Sequence, residues 1–180
     1  MPASTKTSLV EHLRTHAVRT DGPFTLRSGE RSSWYIDARQ TTFDGVGARL
    51  VGQAVAAVLP RGTTAVGGLT MGADPIAIAT AMSSSSPLKA FSIRKEAKTH
   101  GAGGRLVGPV APGDRVVVVE DTTTTGSAIM EAVEVLIEAG IAIGGVVSLV
   151  DRSGGAVAAR LARRGLAYEV IVSTDELGVT

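Results

Sequence analysis

The sequence has 180 residues, of which 44% are hydrophobic and only 3% aromatic, with a formal net charge of +1 and no cysteine. This length predicts one domain with a core of small aliphatic side chains. The near-neutral charge argues against a broad nucleic-acid or membrane surface, and the lack of cysteine excludes disulfides, thiolate metal sites and cysteine nucleophiles. Since there is neither an apolar signal core over 1–7 nor a membrane-span pattern, we expect a soluble cytoplasmic protein.

Hydrophobic periodicity and turn residues predict a series of helices and strands. Ser8 and Glu11 fit a capping box, so the first helix is expected to begin at residue 8. Asp74 and Pro75 fit a helix cap and a first helical residue. In chain order, the predicted elements are helix 8–18, two extended pieces within 24–37 with a turn at 28–31, helix 46–59, strand 65–69, helix 75–82, strand 88–93, strand 116–119, helix 127–139, strand 143–150, helix 155–164 and strand 168–172.

The alternation of strands and helices from residue 65 onward is typical of a parallel sheet with crossover helices. We therefore expect an α/β fold with a twisted, parallel, five-stranded sheet, flanking helices and a small N-terminal subdomain. The whole chain, 1–180, is expected to be a single domain, with the N-terminal elements over about 1–45 and the core over about 46–180. Residues 94–112 lack a convincing periodicity, and a functional or mobile loop is expected over about 94–108.

The strongest functional signal lies around residue 120. Val116 to Val119 is a β-branched run without alternation, as in a central strand buried on both faces. Glu120 and Asp121 therefore fall at the carboxyl end of this strand, where open α/β sheets bind ligands. The hydroxyl- and glycine-rich turn 122–128 leads into a helix, and its N–H and hydroxyl groups suit a phosphate. These residues indicate a phosphorylated sugar, although strand-end acids and serine caps are also common structural features.

A second functional signal is a cluster of positively charged residues. Residues 94–105 contain four lysines and arginines, one histidine and three glycines. Cations suit a polyphosphate, and glycines allow a segment to close over a ligand, although a charge run alone is more often a solvated surface. A leaving pyrophosphate needs charge compensation of this kind, together with Mg²⁺. The two signals together indicate glycosyl transfer from an activated ribose.

These motifs resemble the type I phosphoribosyltransferases, and more narrowly the orotate phosphoribosyltransferase family. The resemblance covers about residues 24–152. It rests on Phe24 to Gly29 with Trp34 to Asp37, on Arg94-Lys95-Glu96-Ala97-Lys98-Thr99-His100-Gly101, and on Glu120 to Ala128 with Asp151-Arg152. It implies transfer of phosphoribosyl from 5-phosphoribosyl 1-pyrophosphate (PRPP) to orotate, giving orotidine 5′-monophosphate and pyrophosphate. It also implies Mg²⁺ as the cofactor and a homodimer in which a mobile loop reaches the neighbouring active site.

The resemblance also implies roles for individual residues. The catalytic positions are matched by Lys98, His100 and Asp121. The positions that bind PRPP or pyrophosphate are matched by Arg94, Lys95, Lys98, His100, Glu120, Asp121, Thr122, Thr123, Thr124, Thr125, Gly126, Ser127 and Ala128. The positions that bind orotate are matched by Arg27, Tyr35, Ile36, Thr124 and Arg152. Mg²⁺ is expected to be held through the substrate, with Asp121 as a candidate ligand.

Two features depart from the family pattern. The turn 68–74 lacks the lysine that many members carry, and Thr122 and Thr123 replace residues that are usually apolar. Two other functions stay open at this point. A phosphoribosyltransferase for a purine or another pyrimidine would not need Arg27 and Arg152 for a base carboxylate. A regulator that senses PRPP would usually carry a nucleic-acid surface or a further domain, for which charge and length leave little room.

Overall fold

The computed structural model describes residues 3–25, 31–98 and 104–179. Within these ranges the helices are α1 (Ala3–His16), α2 (Arg39–Thr42), α3 (Gly45–Ala56), α4 (Ala73–Ser83), α5 (Ser127–Glu138), α6 (Ala156–Ala162) and α7 (Thr174–Leu177). The strands are β1 (Val18–Arg19), β2 (Phe24–Thr25), β3 (Arg31–Ser32), β4 (Tyr35–Ile36), β5 (Ala65–Leu69), β6 (Lys89–Lys98), β7 (Gly104–Val107), β8 (Arg115–Thr123), β9 (Ala142–Asp151) and β10 (Tyr168–Ser173). None of the helices described has both the length and the apolar character to cross a membrane.

The centre of the fold is a six-stranded sheet in the order β10-β9-β8-β5-β6-β7. The first five strands in this order run parallel, which confirms the predicted five-stranded parallel sheet. The sixth strand, β7, runs antiparallel to β6 at the edge and lies outside that prediction. The strand order reverses between β5 and β8, because the chain adds β6 on one side of β5 and β8 on the other. Ligands bind at the carboxyl ends of the strands beside such a reversal.

The valine run of β8 is buried on both faces of the sheet, as its sequence predicts. Val117 and Val119 pack with residues of α1, α3 and α4. Val116 and Val118 pack with residues of α5 and α6. Successive side chains of a strand point to opposite faces, so an unbroken β-branched run fits a strand covered on both sides. This packing fixes the direction of β8 and brings its last residues to one edge of the sheet.

The N-terminal part forms two small antiparallel pairs beside the sheet. β1 pairs with β4, and β2 pairs with β3. These pairs agree with the two extended pieces expected within 24–37. The turn predicted at 28–31 falls largely on residues 26–30, which lie outside the described residues.

Both predicted helix caps are wrong. Ser8 lies inside α1, which already includes Ala3. Within this upstream part of the helix the Thr7 hydroxyl donates to the Ala3 carbonyl at 3.0 Å, so it does not compete for a backbone N–H group. Asp74 is likewise the second residue of α4, and its carboxylate accepts a hydrogen bond from the Thr70 hydroxyl at 2.6 Å. Proline at the next position is tolerated, since the N–H groups of the first helical turn have no intrahelical partner.

The expected loop over 94–108 is wrong in its secondary structure. β6 continues through Arg94 to Lys98, and β7 returns beside it, so the two strands form an antiparallel ribbon at the sheet edge. The register is irregular between Ile93 and Lys98. The middle of this segment, 99–103, lies outside the described residues.

Candidate functional site

A cleft of about 570 Å³ lies at the carboxyl ends of β5, β6 and β8, beside the reversal of the strand order. Its walls come from the end of β8 with the start of α5, from β4 with α2, and from the turn after β5. The lining residues are Tyr35, Ile36, Asp37, Ala38, Arg39, Leu69, Thr70, Met71, Gly72, Lys95, Glu120, Asp121, Thr122, Ser127, Ala128 and Glu131. The cleft therefore brings together residues from all three segments that carry the sequence motifs.

Glu120 and Asp121 are half-buried side by side in this cleft. Burial, and then the charge of Asp121, raise the pKa of Glu120 to about 8, while the charge of Lys95 opposes this shift. Burial also raises the pKa of Asp121, against the Thr122 N–H that donates to its Oδ1 at 2.6 Å. Oε2 of Glu120 is buried and has no hydrogen-bond partner within the described part of the chain. Sugar hydroxyls or a cation would therefore favour the ionised form of this pair.

Thr122 and Thr123 belong to the end of β8, so the predicted phosphate turn 122–128 begins too early. Their β-branched side chains favour a strand, and both residues pair with β9. The Thr123 side chain is buried and its Oγ1 lies 2.7 Å from Oγ of Ser148, so it does not face the cleft. Thr122 lines the cleft, and its hydroxyl is buried without a partner among the described residues.

The candidate phosphate turn is thus reduced to 124–126 and the start of α5. Gly126 has a φ of 73°, and a Cβ at this position would lie 2.7 Å from Cγ2 of Val157, so glycine is required for both reasons. Thr124 and Thr125 are exposed outside the cleft lining, and Oγ1 of Thr125 lies 2.8 Å from Oγ of Ser127. Ser127 and Ala128 line the cleft at the helix start, where backbone N–H groups suit an anion.

The cations of the basic segment occupy different places. Lys95 is exposed and lines the cleft, whereas Arg94 is half-buried outside the lining. Arg105 donates through Nε to the Arg94 carbonyl at 2.7 Å and forms an ion pair with Glu131, which ties it to α5. The backbone of Lys98 ends β6, but its side chain, like the whole of His100, lies outside the described residues.

Two of the residues predicted to hold a base, Tyr35 and Ile36, lie on the wall of the cleft that β4 and α2 form. Tyr35 and Ile36 both line it; Ile36 is buried, whereas the Tyr35 ring is exposed. Arg152 follows β9 outside the cleft lining, and its guanidinium carbon lies 3.9 Å from the centroid of the Trp34 ring. Burial lowers the pKa of Arg152, and the nearby Tyr35 phenol opposes this effect. Arg27, predicted for the same pocket, lies outside the described residues.

Sequence reasoning missed Arg39 and the close approach of Gly72 to the acidic pair. Arg39 donates through Nε to Asp37 at 2.7 Å, and its charge partly opposes the burial that raises the pKa of Asp121. A Cβ on Gly72 would lie 2.7 Å from Oδ1 of Asp121. Glycine in a turn directly after the strand 65–69 is a signal that could have indicated this approach. Arg39 carries no such signal, because its place depends on how the N-terminal pairs pack beside the sheet.

The fold places the chain in the class of type I phosphoribosyltransferases. A comparison with models of protein families gave no match. The chain is 42% identical over 178 residues to an orotate phosphoribosyltransferase of Corynebacterium glutamicum, covering 98% of this chain and 96% of that protein. A crystal structure of the orotate phosphoribosyltransferase of Mycobacterium tuberculosis in complex with Fe(III) dicitrate gives a TM-score of 0.85 at 36% identity, covering 97% of this chain and 99% of that one.

A crystal structure of the same mycobacterial enzyme in complex with PRPP gives a TM-score of 0.81 at 32% identity, again covering 97% of this chain and 99% of that one. The agreement extends over almost the full length of each chain, in sequence and in fold. The chain belongs to the orotate phosphoribosyltransferase family.

Proposed function

We propose that the cleft at the carboxyl ends of β5, β6 and β8 is the active site in which this chain transfers phosphoribosyl from PRPP to orotate. The products are orotidine 5′-monophosphate and pyrophosphate, in pyrimidine biosynthesis. The observation that carries the proposal is that the half-buried acids Glu120 and Asp121 share one cleft with the start of α5. A cavity of about 570 Å³ is in the range that holds a small molecule.

The phosphoribosyl group fits the wall formed by β8 and α5. The ribose hydroxyls would donate hydrogen bonds to Glu120 and Asp121, which supplies the buried Oε2 of Glu120 with a partner. The 5′-phosphate would accept from the N–H groups at the start of α5 and from the hydroxyls of Thr125 and Ser127. Separating acids and phosphate in this way keeps like charges apart.

The pyrophosphate fits the cationic part of the cleft. As the bond from C1′ to the pyrophosphate oxygen breaks, the leaving oxygen keeps the electron pair. A ring nitrogen of orotate forms the new bond to C1′ and gives up its proton, which the departing pyrophosphate can take. Lys95, which lines the cleft, would compensate the developing charge. Catalytic roles for Lys98 and His100, and a pyrophosphate contact for Arg94, rest on the family resemblance.

Orotate carries a ring and a carboxylate, and the two need different partners. Tyr35 and Ile36 offer a wall for the ring. Arg152, half-buried beside Tyr35, offers a planar fork of N–H donors for the carboxylate. The contacts of Arg27 and Thr124 with orotate rest on the resemblance alone.

The residues of the cleft fit Mg²⁺ held mainly by the substrate. No group of three or more acidic, histidine or cysteine side chains suited to a metal occurs in the ranges 3–25, 31–98 and 104–179. One or two carboxylates together with substrate phosphates are the usual surroundings of protein-bound Mg²⁺. Asp121 is the candidate side chain, and bound Mg²⁺ would neutralise charge on the pyrophosphate.

We further propose that the chain forms a homodimer with shared active sites. The β6–β7 ribbon lies at the sheet edge, and Phe43 and Met71 expose 60% and 56% of their surface around one shallow pocket beside the cleft. Exposed apolar groups of this kind often mark an interface. If Lys98 acts in the partner's site, mixed dimers of inactive Lys98→Ala and inactive Asp121→Asn protein should regain part of the activity. No regain after verified subunit exchange would contradict shared sites.

A cytoplasmic location stays a prediction, which cell fractionation would test.

The direct test of the function is the depletion of orotate by purified protein with PRPP and Mg²⁺, with adenine, hypoxanthine and uracil as alternative bases. Orotate alone should be consumed, because only orotate has a carboxylate for Arg152. Turnover of another base with none of orotate would refute the proposal.

Lys98→Ala should lower turnover far more than it weakens PRPP binding, and unchanged turnover would remove Lys98 from the mechanism.

A further inference from the structure

The geometry points to Trp34 as the residue that positions Arg152 to receive the carboxylate of orotate. Trp34 lies between β3 and β4, outside the residues expected to contact either substrate. The inference rests on the proposed function, since it takes the orotate carboxylate as the partner of Arg152. Trp34 would act through Arg152, and so determine affinity for one substrate without touching the reacting atoms.

The Trp34 ring is a fixed platform. The residue is 8% exposed and packs in the core cluster that also contains Ile36. The Ser32 side chain holds the backbone of Trp34 through two hydrogen bonds. Its hydroxyl donates to the Trp34 carbonyl at 2.7 Å and accepts from the Trp34 backbone N–H at 3.3 Å. The indole therefore has little freedom to move with a bound ligand.

The Arg152 side chain lies on this platform in a way that keeps its donors available. At 3.9 Å from the ring centroid the guanidinium carbon is in contact with the face of the ring, a distance that suits parallel stacking. A flat guanidinium stacks on the π face and directs its N–H groups sideways. Its backbone is fixed as well, since the Arg152 N–H donates to the Thr123 carbonyl at 2.7 Å.

The charge of Arg152 has a stacking partner in the Trp34 ring. Arg152 takes part in none of the ion pairs found within the described ranges. Burial already disfavours its charged form and lowers its pKa. A half-buried, pre-oriented guanidinium beside Tyr35 suits a planar carboxylate that arrives with a ligand, because a bidentate pair would restore the lost solvation.

Steady-state kinetics of Trp34→Leu and Trp34→Phe test the inference. Losing the ring should raise the KM for orotate about 3- to 30-fold, the range expected for loss of a partly buried cation–π contact. The KM for PRPP and the kcat should stay within about twofold, and Trp34→Phe, which keeps an aromatic face, should recover most of the orotate affinity. An unchanged KM for orotate, or an equal rise in both KM values, would overturn the inference. If wild-type protein does not consume orotate, the proposed function fails instead.

A second measurement needs no variant and applies if Trp34→Leu does not fold. Trp34 is the single tryptophan of the chain, so the intrinsic tryptophan fluorescence reports on this one ring. Titration of wild-type protein with orotidine 5′-monophosphate should change the emission, because a carboxylate bound to Arg152 alters the charge above the ring. Ribose 5-phosphate, which lacks the base, should bind with little change in emission. Equal changes with both ligands, or none with orotidine 5′-monophosphate, would count against the role of Trp34.

Discussion

The raised pKa of Glu120 predicts that this residue makes the protein less stable as the pH rises. The unfolded carboxyl group ionises at its usual pKa of 4.5, whereas burial and the charge of Asp121 raise the folded pKa to about 8. Between these values the unfolded state loses a proton that the folded state keeps, so the free energy of unfolding falls with increasing pH. Replacing the carboxyl by an amide of the same shape, in Glu120→Gln, removes this titration.

The size of the effect follows from the pH interval. Each unit between pH 6 and pH 8 is worth about 1.4 kcal/mol for one proton, so Glu120→Gln should gain about 2–3 kcal/mol over wild type across this range. Urea unfolding in metal-free buffer at several pH values, followed through Trp34 fluorescence, measures the difference. Glu138→Gln, at the exposed end of α5, reports the effect of net charge alone. A constant difference between Glu120→Gln and wild type from pH 6 to pH 8 would refute the assigned environment of Glu120.

Two further predictions follow from single contacts. Gly72→Ala should lower kcat/KM for PRPP by at least about tenfold, since its Cβ would lie 2.7 Å from Oδ1 of Asp121, and a displacement of about 1 Å at a reacting group can cost a hundredfold. Asp114→Asn should lower the free energy of unfolding at pH 7 by about 1–3 kcal/mol, because the Asp114 carboxylate accepts hydrogen bonds from Lys89 at 2.9 and 3.0 Å and from Thr64 at 2.8 Å.

Each of these predictions has its own control. Gly45→Ala places a methyl group where no atom lies within 4 Å, so it should leave PRPP kinetics unchanged, and equal losses for Gly45→Ala and Gly72→Ala would point to a general effect on folding. The pKa of Asp114 is lowered, chiefly by its hydrogen bond with Lys89, so its stabilising effect is present at neutral pH and is lost as the pH falls through the folded pKa. A difference between wild type and Asp114→Asn that persists unchanged in acid would contradict this ion pair.

The sheet and the acidic pair were predictable because their signals are local. Four consecutive β-branched residues at 116–119 favour a strand buried on both faces, and residues 120 and 121 then fall near its carboxyl end, although the strand continues to Thr123. The predicted start of the phosphate turn, at residue 122, is too early, because it also rests on a local signal. Thr122 and Thr123 carry hydroxyls, which suggested a turn, but their β-branched side chains and their pairing with β9 extend the strand.

Other parts of the site could not be read from the sequence, because they depend on contacts between distant segments. The continuation of β6 through Arg94 to Lys98 depends on pairing with β7. A polar ribbon at a sheet edge shows no alternation of apolar and polar residues, so the sequence pattern does not predict these strands. The ion pair between Arg105 and Glu131 joins that ribbon to α5 and removes a cation from the expected anion site. The stack of Arg152 on Trp34 likewise joins residues more than a hundred positions apart.

The central claim is that the cleft beside Glu120 and Asp121 holds PRPP. A crystal structure of the protein with PRPP and Mg²⁺ tests this most directly. The ribose hydroxyls should lie within hydrogen-bond distance of the Glu120 and Asp121 carboxylates, with the 5′-phosphate at the N–H groups of Ser127 and Ala128. PRPP bound at another surface, or bound in this cleft with its 5′-phosphate away from the start of α5, would contradict the account.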